Sequence, residues 1–444
     1  METLPDMQDV FGQLPRMKGY THLVLCFAHP PSISRETIVQ ALEAAARRLT
    51  ATFPWLAGKV INTGVGPGCT GAFIVEPCYQ TENILRFQDR ADDCPSYEDI
   101  VRMNGASDLL DGSLLSAETS LPDSYTETDT SPAPALTLTV SWIRNGLLLN
   151  CAAQHNVLDM GGIDQIFGLL ATALQGREFG KTAIEINNCD RLTVFPLLGP
   201  EEPKCDHGQM RRPSSLNPSL RSPPPPGPQP AFHHFRFSAA HLADLTNLSA
   251  TPSTDDALSA FVWKRLSAVR FSLGQLPDAV AGFSRAVDCR RTLGVPAEYM
   301  GVLVVKIFST MTFKELDNTH LAAVAAHLRR DVQRIRDRYF LRSLATLIAE
   351  EPDKSTFNFV PGFRPDTWIN ASSWASVGAY GLEFGVLGKP AVVRRPRSKP
   401  VQSLLYFLPR LECGDINVLL CLKETEIQGL RSDAEWAHYA EYIG

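Results

Sequence analysis

Residues 136–175 read LTLTVSWIRNGLLLNCAAQHNVLDMGGIDQIFGLLATALQ, and this stretch decides the fold. LTLTVSWI alternates as a strand does, Arg144-Asn145-Gly146 turns the chain, and LLLNCAA returns. Asn-Gly between two β runs is a strong hairpin signal. The return strand runs straight into Gln154-His155-Asn156-Val157-Leu158-Asp159-Met160-Gly161-Gly162, and a helix follows over about 163–175. A histidine therefore stands at a strand end, before two glycines and a helix. Such a place presents a side chain to a cleft and lets backbone approach a ligand. A neutral imidazole there can take a proton from a hydroxyl or an amine. Asp159 can only accept hydrogen bonds, and it reads as a brace for the loop, paired with an arginine. Taken alone, the pattern is equally that of a core histidine in a satisfied turn.

The flanking sequence repeats the alternation of strand and helix. Tyr20–Phe27 is β-rich, and 33–52 carries helical apolar spacing at Ile38, Leu42, Ala45 and Leu49, with Ser34 as N-cap and Pro54 as stop. Short strands are expected at 56–63 and 70–76 around Gly66-Pro67-Gly68. Residues 183–230 change character, and RSPPPPGP at 221–228 cannot enter a helix or sheet interior. This segment reads as a crossover between two units, 1–182 and 231–444. Beyond it lie a strand at 232–237, helices at 239–249, 255–270 and 321–337, and strands near 281–288, 300–310, 401–408 and 414–423.

The chain has 444 residues, 44% hydrophobic and 20% charged, which suits two or three globular domains and excludes a mainly disordered, collagen-like or coiled-coil chain. Its net charge of -6 argues against a broad nucleic-acid surface. No apolar run approaches the roughly 18 residues that span a bilayer. METLPDMQDV is acidic where a secretory leader is basic and then apolar, so a soluble, cytoplasmic protein is expected. Ten cysteines show no CxxC spacing and stand mostly in apolar runs, which reads as reduced, buried thiols.

Three further segments join the histidine. Ser253-Thr254-Asp255-Asp256-Ala257-Leu258-Ser259-Ala260-Phe261-Val262-Trp263 starts a capped helix. Val287-Asp288-Cys289-Arg290-Arg291 ends a strand on two arginines, and Ser372-Ser373-Trp374 precedes Glu383-Phe384-Gly385-Val386-Leu387-Gly388. In this order and at these separations, the set resembles the BAHD-type acyltransferases, closest to their fungal branch typified by trichothecene 3-O-acetyltransferase. His155-Asn-Val-Leu-Asp159 matches the family's HxxxD, and 383–388 stands for its DFGWG. Phe53-Pro54-Trp55-Leu56-Ala57-Gly58, Tyr299-Met300-Gly301, Pro409 and Trp436 also fall where the family places such residues. The chain departs from the pattern at Glu383, Val386, Leu387, Met160 and Val302.

The resemblance implies an α/β fold. Two similar lobes of mixed sheet flanked by helices, as in chloramphenicol acetyltransferase, enclose a central channel, and about 370–398 returns to pack on the first lobe. It implies acyl transfer from acyl-CoA to a hydroxyl or amine of a small secondary metabolite, with His155 as general base. Asp159 is structural and paired with Arg290. Ser372, beside Trp374, supplies an oxyanion donor. Glu383 and Gly385 form a structural motif in which Glu383 meets Arg291 or Arg285. Ser253, Thr254, Asp255, Lys264 and Arg394 are the candidates for CoA. No metal and no permanently bound cofactor is implied. The partners are acyl-CoA and a small acceptor, with no nucleic acid and no membrane, and the chain is a monomer. The same fold also accommodates a carrier-protein acyl donor, or a cyclisation, elimination or isomerisation in the same cleft.

Overall fold

A computed structural model describes residues 7–76, 84–118, 120, 131–211, 229–251, 253–357 and 363–444. In chain order its first strands are β1 (Tyr20–Ala28), β2 (Lys59–Gly66), β3 (Cys69–Glu76), β4 (Leu85–Asp89), β5 (Ala133–Pro134), β6 (Leu136–Ile143) and β7 (Gly146–Gln154). There follow β8 (Ala231–Phe237), β9 (Val280–Asp288), β10 (Val304–Thr312), β11 (Trp368–Ser373), β12 (Val392–Arg394), β13 (Leu404–Phe407), β14 (Ile416–Leu422) and β15 (Ala440–Tyr442).

The hairpin forms as its sequence dictates. β6 and β7 pair from Leu136↔Ala153 to Ile143↔Gly146, so the two-residue loop is Arg144-Asn145, and Asn145 alone takes a left-handed φ, +58°, while Gly146 already pairs in β7. Every residue of both strands is buried, because the sheet is covered on both faces. Leu23, Leu25, Phe27, Leu149 and Cys151 face the helices Arg35–Thr52 and Met160–Leu174. Val24, Cys26 and Leu148 face Ile100, Leu110 and Leu115. The sheet order is β12-β1-β7-β6-β4, so its outermost strand comes from residues 392–394, far along the chain.

The second large sheet runs β10-β9-β11-β13-β14-β8-β15 and is mixed, with β11 parallel to both β9 and β13. One face packs on the helix Thr254–Ser272, where Trp263 and Phe261 are fully buried with Phe283, Ile369, Ala371 and Trp436. Alternation then turns Ser284, Asn370 and Ser372 to the opposite face. A small sheet, β3-β2-β5, completes the fold.

Several boundaries move for identifiable reasons. The helix expected from Ile163 starts at Met160, because the Asp159 carboxylate caps it by accepting from the Gly162 N–H at 2.9 Å. The strand expected from 300 starts at Val304, because 299–303 bends to meet Asp159 and Asn187. The helix expected to reach 337 stops at Arg334, and Asp337 caps the next one, Arg338–Glu350. The segment expected as a crossover from 183 begins inside a helix, Lys181–Asn187, and then sends Arg191 inward to Asp9 at 2.5 Å. The proline-rich 221–228 lies outside the described residues. No disulfide joins the described cysteines. No helix among the described residues is long and apolar enough to cross a membrane.

Candidate active site

His155 follows the last residue of β7, and its N–H donates to the Gly19 carbonyl at 2.8 Å. Asn156 fixes the turn: its N–H donates to Gln154 Oε1 at 2.7 Å, and its side-chain amide donates to the Gly12 carbonyl. The imidazole Nδ1 lies 3.0 Å from the Leu158 carbonyl. A carbonyl only accepts, so Nδ1 carries the proton, and in the neutral ring Nε2 presents a lone pair. Burial pushes the imidazole pKa below its ordinary value of 6.5, and Asp159 opposes that shift only in part. The ring is therefore neutral near pH 7. It is surrounded by protein yet keeps accessible surface, as a side chain lining an internal channel does.

Asp159 points the other way. Arg290 Nη2 meets its Oδ1 at 2.7 Å and Nη1 meets its Oδ2 at 3.0 Å, a bidentate pair with both side chains buried. The Leu303 N–H donates to Oδ2 at 2.9 Å. Arg290 also donates to the carbonyls of Tyr299 (2.9 Å) and Gly301 (2.7 Å). One carboxylate thus caps a helix of the first lobe and ties it to the second lobe through Arg290, the partner expected from the sequence. The paired glycines at 161 and 162 have a reason here. A Cβ on Gly161 would stand 3.0 Å from Arg290 Nη1, and one on Gly162 would stand 2.1 Å from the Met300 carbonyl oxygen.

Ser372 and Trp374 meet at the end of β11. The Trp374 Nε1–H donates to Ser372 Oγ at 3.0 Å, which leaves the hydroxyl proton free to donate elsewhere. The Trp374 ring packs on Tyr406 at 4.9 Å, and Arg395 lies over the other part of the same aromatic cluster, 4.8 Å from Tyr406 and 5.5 Å from Phe232.

The remaining candidates are not brought together. Ser253 caps its helix, accepting from the Asp256 N–H at 3.4 Å, with Thr254 as the first helical residue and Asp255 3.6 Å from Arg285. Lys264 holds the carbonyls of Leu316 (2.8 Å) and Asp317 (3.0 Å). Arg394, expected at the CoA entrance, is instead 2% exposed in β12, where it donates to the Tyr380 hydroxyl and the Asn104 carbonyl, each at 2.7 Å. Arg397 and Lys399 are the exposed members of that basic run. Glu383 has neither expected arginine: Arg285 is on Asp256 at 2.6 Å, and no basic group stands within ion-pair distance of Glu383 among the described residues. The motif works through its neighbours. Phe384 is fully buried between Phe27 (5.2 Å) and Phe167 (6.4 Å), and Gly385, at φ +55°, sits against the Leu174 carbonyl where a Cβ would stand 2.6 Å away. This segment and β12 carry the C-terminal chain onto the first lobe.

Three features escape the motif reading. Lys306 on β10 donates to Asn370 Oδ1 (2.7 Å) and the Ala371 carbonyl (2.8 Å), and its charge is felt at His155. A lone lysine in the apolar run Val304–Phe308 was the available signal. His22 stands in the middle of β1, its Nε2 without a hydrogen-bond partner among the described residues, on the wall of a cavity of about 710 Å³ that Phe232, Ser120, Ser398 and Arg397 also line. Arg191, between Asp9 and the Val157 carbonyl (2.8 Å), props the turn after His155.

The chain matches the trichothecene 3-O-acetyltransferase-like N-terminal domain over residues 20–174 and the Transferase family over residues 107–437. It is 44% identical to the O-acyltransferase pigD of Monascus ruber, over the whole of both chains. It is 34% identical to the trichothecene 3-O-acetyltransferase TRI101 of Fusarium sporotrichioides, over 98% of this chain and 96% of that one. The crystal structure of F. sporotrichioides TRI101 complexed with coenzyme A and T-2 superposes with a TM-score of 0.89 at 32% identity, covering all of both chains. The F. graminearum TRI101 structure complexed with coenzyme A and deoxynivalenol gives 0.91 at 30% identity, again over all of both.

Proposed function

The chain belongs to the Transferase family, in its trichothecene 3-O-acetyltransferase-like branch, and from that membership and the state of His155 we infer an acyltransferase that moves an acyl group from acyl-CoA to a hydroxyl of a small secondary metabolite. The group transferred is acetyl, acyl-CoA is consumed as a co-substrate, and no permanently bound cofactor takes part. The chain works as a cytoplasmic monomer, with 183–230 crossing between lobes 1–182 and 231–444.

His155 is the general base. The observation that carries this reading is the Nδ1 contact with the Leu158 carbonyl, which fixes the tautomer and frees Nε2. Nε2 takes the acceptor's hydroxyl proton as the oxygen attacks the thioester carbonyl. The Ser372 hydroxyl, oriented by Trp374, donates to the oxygen anion of the tetrahedral intermediate. Collapse expels CoA thiolate, which recovers the proton from Nε2. Asp159 stays out of the proton path and holds the turn. Ser253 and Thr254 are the proposed contacts for CoA, and the cavity beside His22 is the proposed place of the acceptor.

The test is release of CoA from acetyl-CoA in the presence of hydroxyl-bearing metabolites, deoxynivalenol among them. His155→Ala is expected to lower kcat by about 10²–10⁴-fold and to leave acetyl-CoA binding, read by calorimetry, unchanged. Turnover near that of the wild type would remove His155 from this role.

A further inference from the structure

Lys306 is the one charged residue in Val304-Val305-Lys306-Ile307-Phe308, inside β10. Its ammonium is clamped across two strands. It donates to Asn370 Oδ1 and the Ala371 carbonyl on β11, and Ser284 Oγ on β9 donates to the same Asn370 oxygen at 2.9 Å. These groups lie on the sheet face that carries Ser372, opposite the face that enters the core through Ile369 and Ala371. Two protein acceptors hold a group with three N–H donors, which leaves one for the space in front.

An ammonium surrounded by protein is costly unless a negative charge accompanies it. Among the described residues no carboxylate stands within ion-pair distance of Lys306, and burial pushes its pKa down to about 7. Its charge reaches the other lobe, where it disfavours protonation of His155. Asp159, from its own turn, acts on His155 in the opposite sense, and that carboxylate is already bound to Arg290. Acyl transfer itself generates negative charge at this place, first on the tetrahedral oxygen and then on the CoA sulfur.

We propose that Lys306, clamped by Asn370 and the Ala371 carbonyl on the face that carries Ser372, is a positioning residue of the acyl-transfer centre, a positive charge that adds to burial in keeping His155 unprotonated before attack and balances the anion formed afterwards. The proposal rests on the reading of His155 as the base.

It is tested by pH profiles of kcat and kcat/KM for acetyl-CoA in the wild type, Lys306→Gln, Lys306→Arg and Asn370→Asp, with His155→Ala measured alongside. Wild-type activity falls on the acid side as His155 gains a proton and on the alkaline side as Lys306 loses one. Lys306→Gln is expected to lower kcat by about 10- to 100-fold, with KM for acetyl-CoA within about two-fold. Its acid limb moves up toward the ordinary histidine value of about 6.5, since the repelling cation is gone. Lys306→Arg keeps the acid limb and pushes the alkaline limb upward, because a guanidinium does not titrate in this range. Asn370→Asp retains the lysine but sets a carboxylate against it, so the acid limb again moves up, and this variant keeps the test decisive if Lys306→Gln does not fold. An acid limb unchanged in both Lys306→Gln and Asn370→Asp overturns the proposal. Full activity in His155→Ala overturns the base assignment instead, so the two failures are distinguishable.

Discussion

Arg290 divides its guanidinium among the Asp159 carboxylate, the carbonyls of Tyr299 and Gly301, and Asp288 at 3.0 Å. Of the two carboxylates only Asp159 is buried, so removing its charge leaves a buried cation with a single, largely exposed anionic partner beside its two carbonyls. Asp159→Asn retains an oxygen to cap Gly162 but loses the bidentate pair, and breaking such a buried pair from one side costs about 3–5 kcal/mol. Urea denaturation measures this, and a loss under about 1 kcal/mol would mean that the pair contributes little beyond the cap. The pairing of Asp159 with Arg290 was legible because a carboxylate after the histidine and an arginine at a strand end belong to one motif set. The same method misassigned Glu383. One expected partner, Arg285, sits on β9 against Asp256, whereas Glu383 lies by Gln175, whose amide donates to its carbonyl oxygen. Nothing in linear spacing distinguishes those two places.

The helix Met160–Leu174 contains three glycines, and the structure gives them opposite meanings. At Gly162 a methyl group would stand 2.1 Å from the Met300 carbonyl oxygen, which is backbone and cannot swing aside without dragging the Tyr299 and Gly301 carbonyls that hold Arg290. Gly162→Ala is therefore expected to cost about 2–3 kcal/mol and to lower kcat as the turn after His155 shifts. At Gly168 nothing lies within 4 Å of the added carbon, so Gly168→Ala should stabilise the helix by up to about 1 kcal/mol through propensity alone. Thermal unfolding of the two variants checks both signs, and equal effects would mean that the close approach at Met300 is unimportant. Elements with local signals were legible from sequence: the Asn145-Gly146 hairpin, the Ser34-capped helix Arg35–Thr52, the helix Thr254–Ser272. β12 was not, since three residues carry no periodicity, and its pairing with β1 joins positions more than three hundred apart in the chain.

At the scale of the molecule, each large sheet buries a histidine that binds protons poorly. His22, 2% exposed in β1, has its pKa pushed down to about 3 by burial and then by the Arg395 charge. His234, 1% exposed in β8, is held well below 6.5 by burial and then by Arg394. Both groups are neutral in the folded state at pH values where the unfolded chain protonates them at about 6.5. The unfolded state then binds more protons, so stability is full above that value and is lost as pH falls toward the folded pKa. For His22 this loss approaches about 1.4 kcal/mol per pH unit well below the unfolded value. Between pH 6.5 and 5, His22 alone should remove about 2 kcal/mol, before most carboxylates titrate, and His234 adds a loss in the same direction. Urea midpoints of the wild type and of His22→Gln with His234→Leu decide this. The variant should decline less steeply across the window, with His155 still contributing, and parallel declines would show that the two histidines are not the acid-sensitive groups. The neutral His155 proposed as the base belongs to the same side of that window. Burial lowers all three histidines for one reason, so the pH at which the base is free is also the pH at which both sheets are stable.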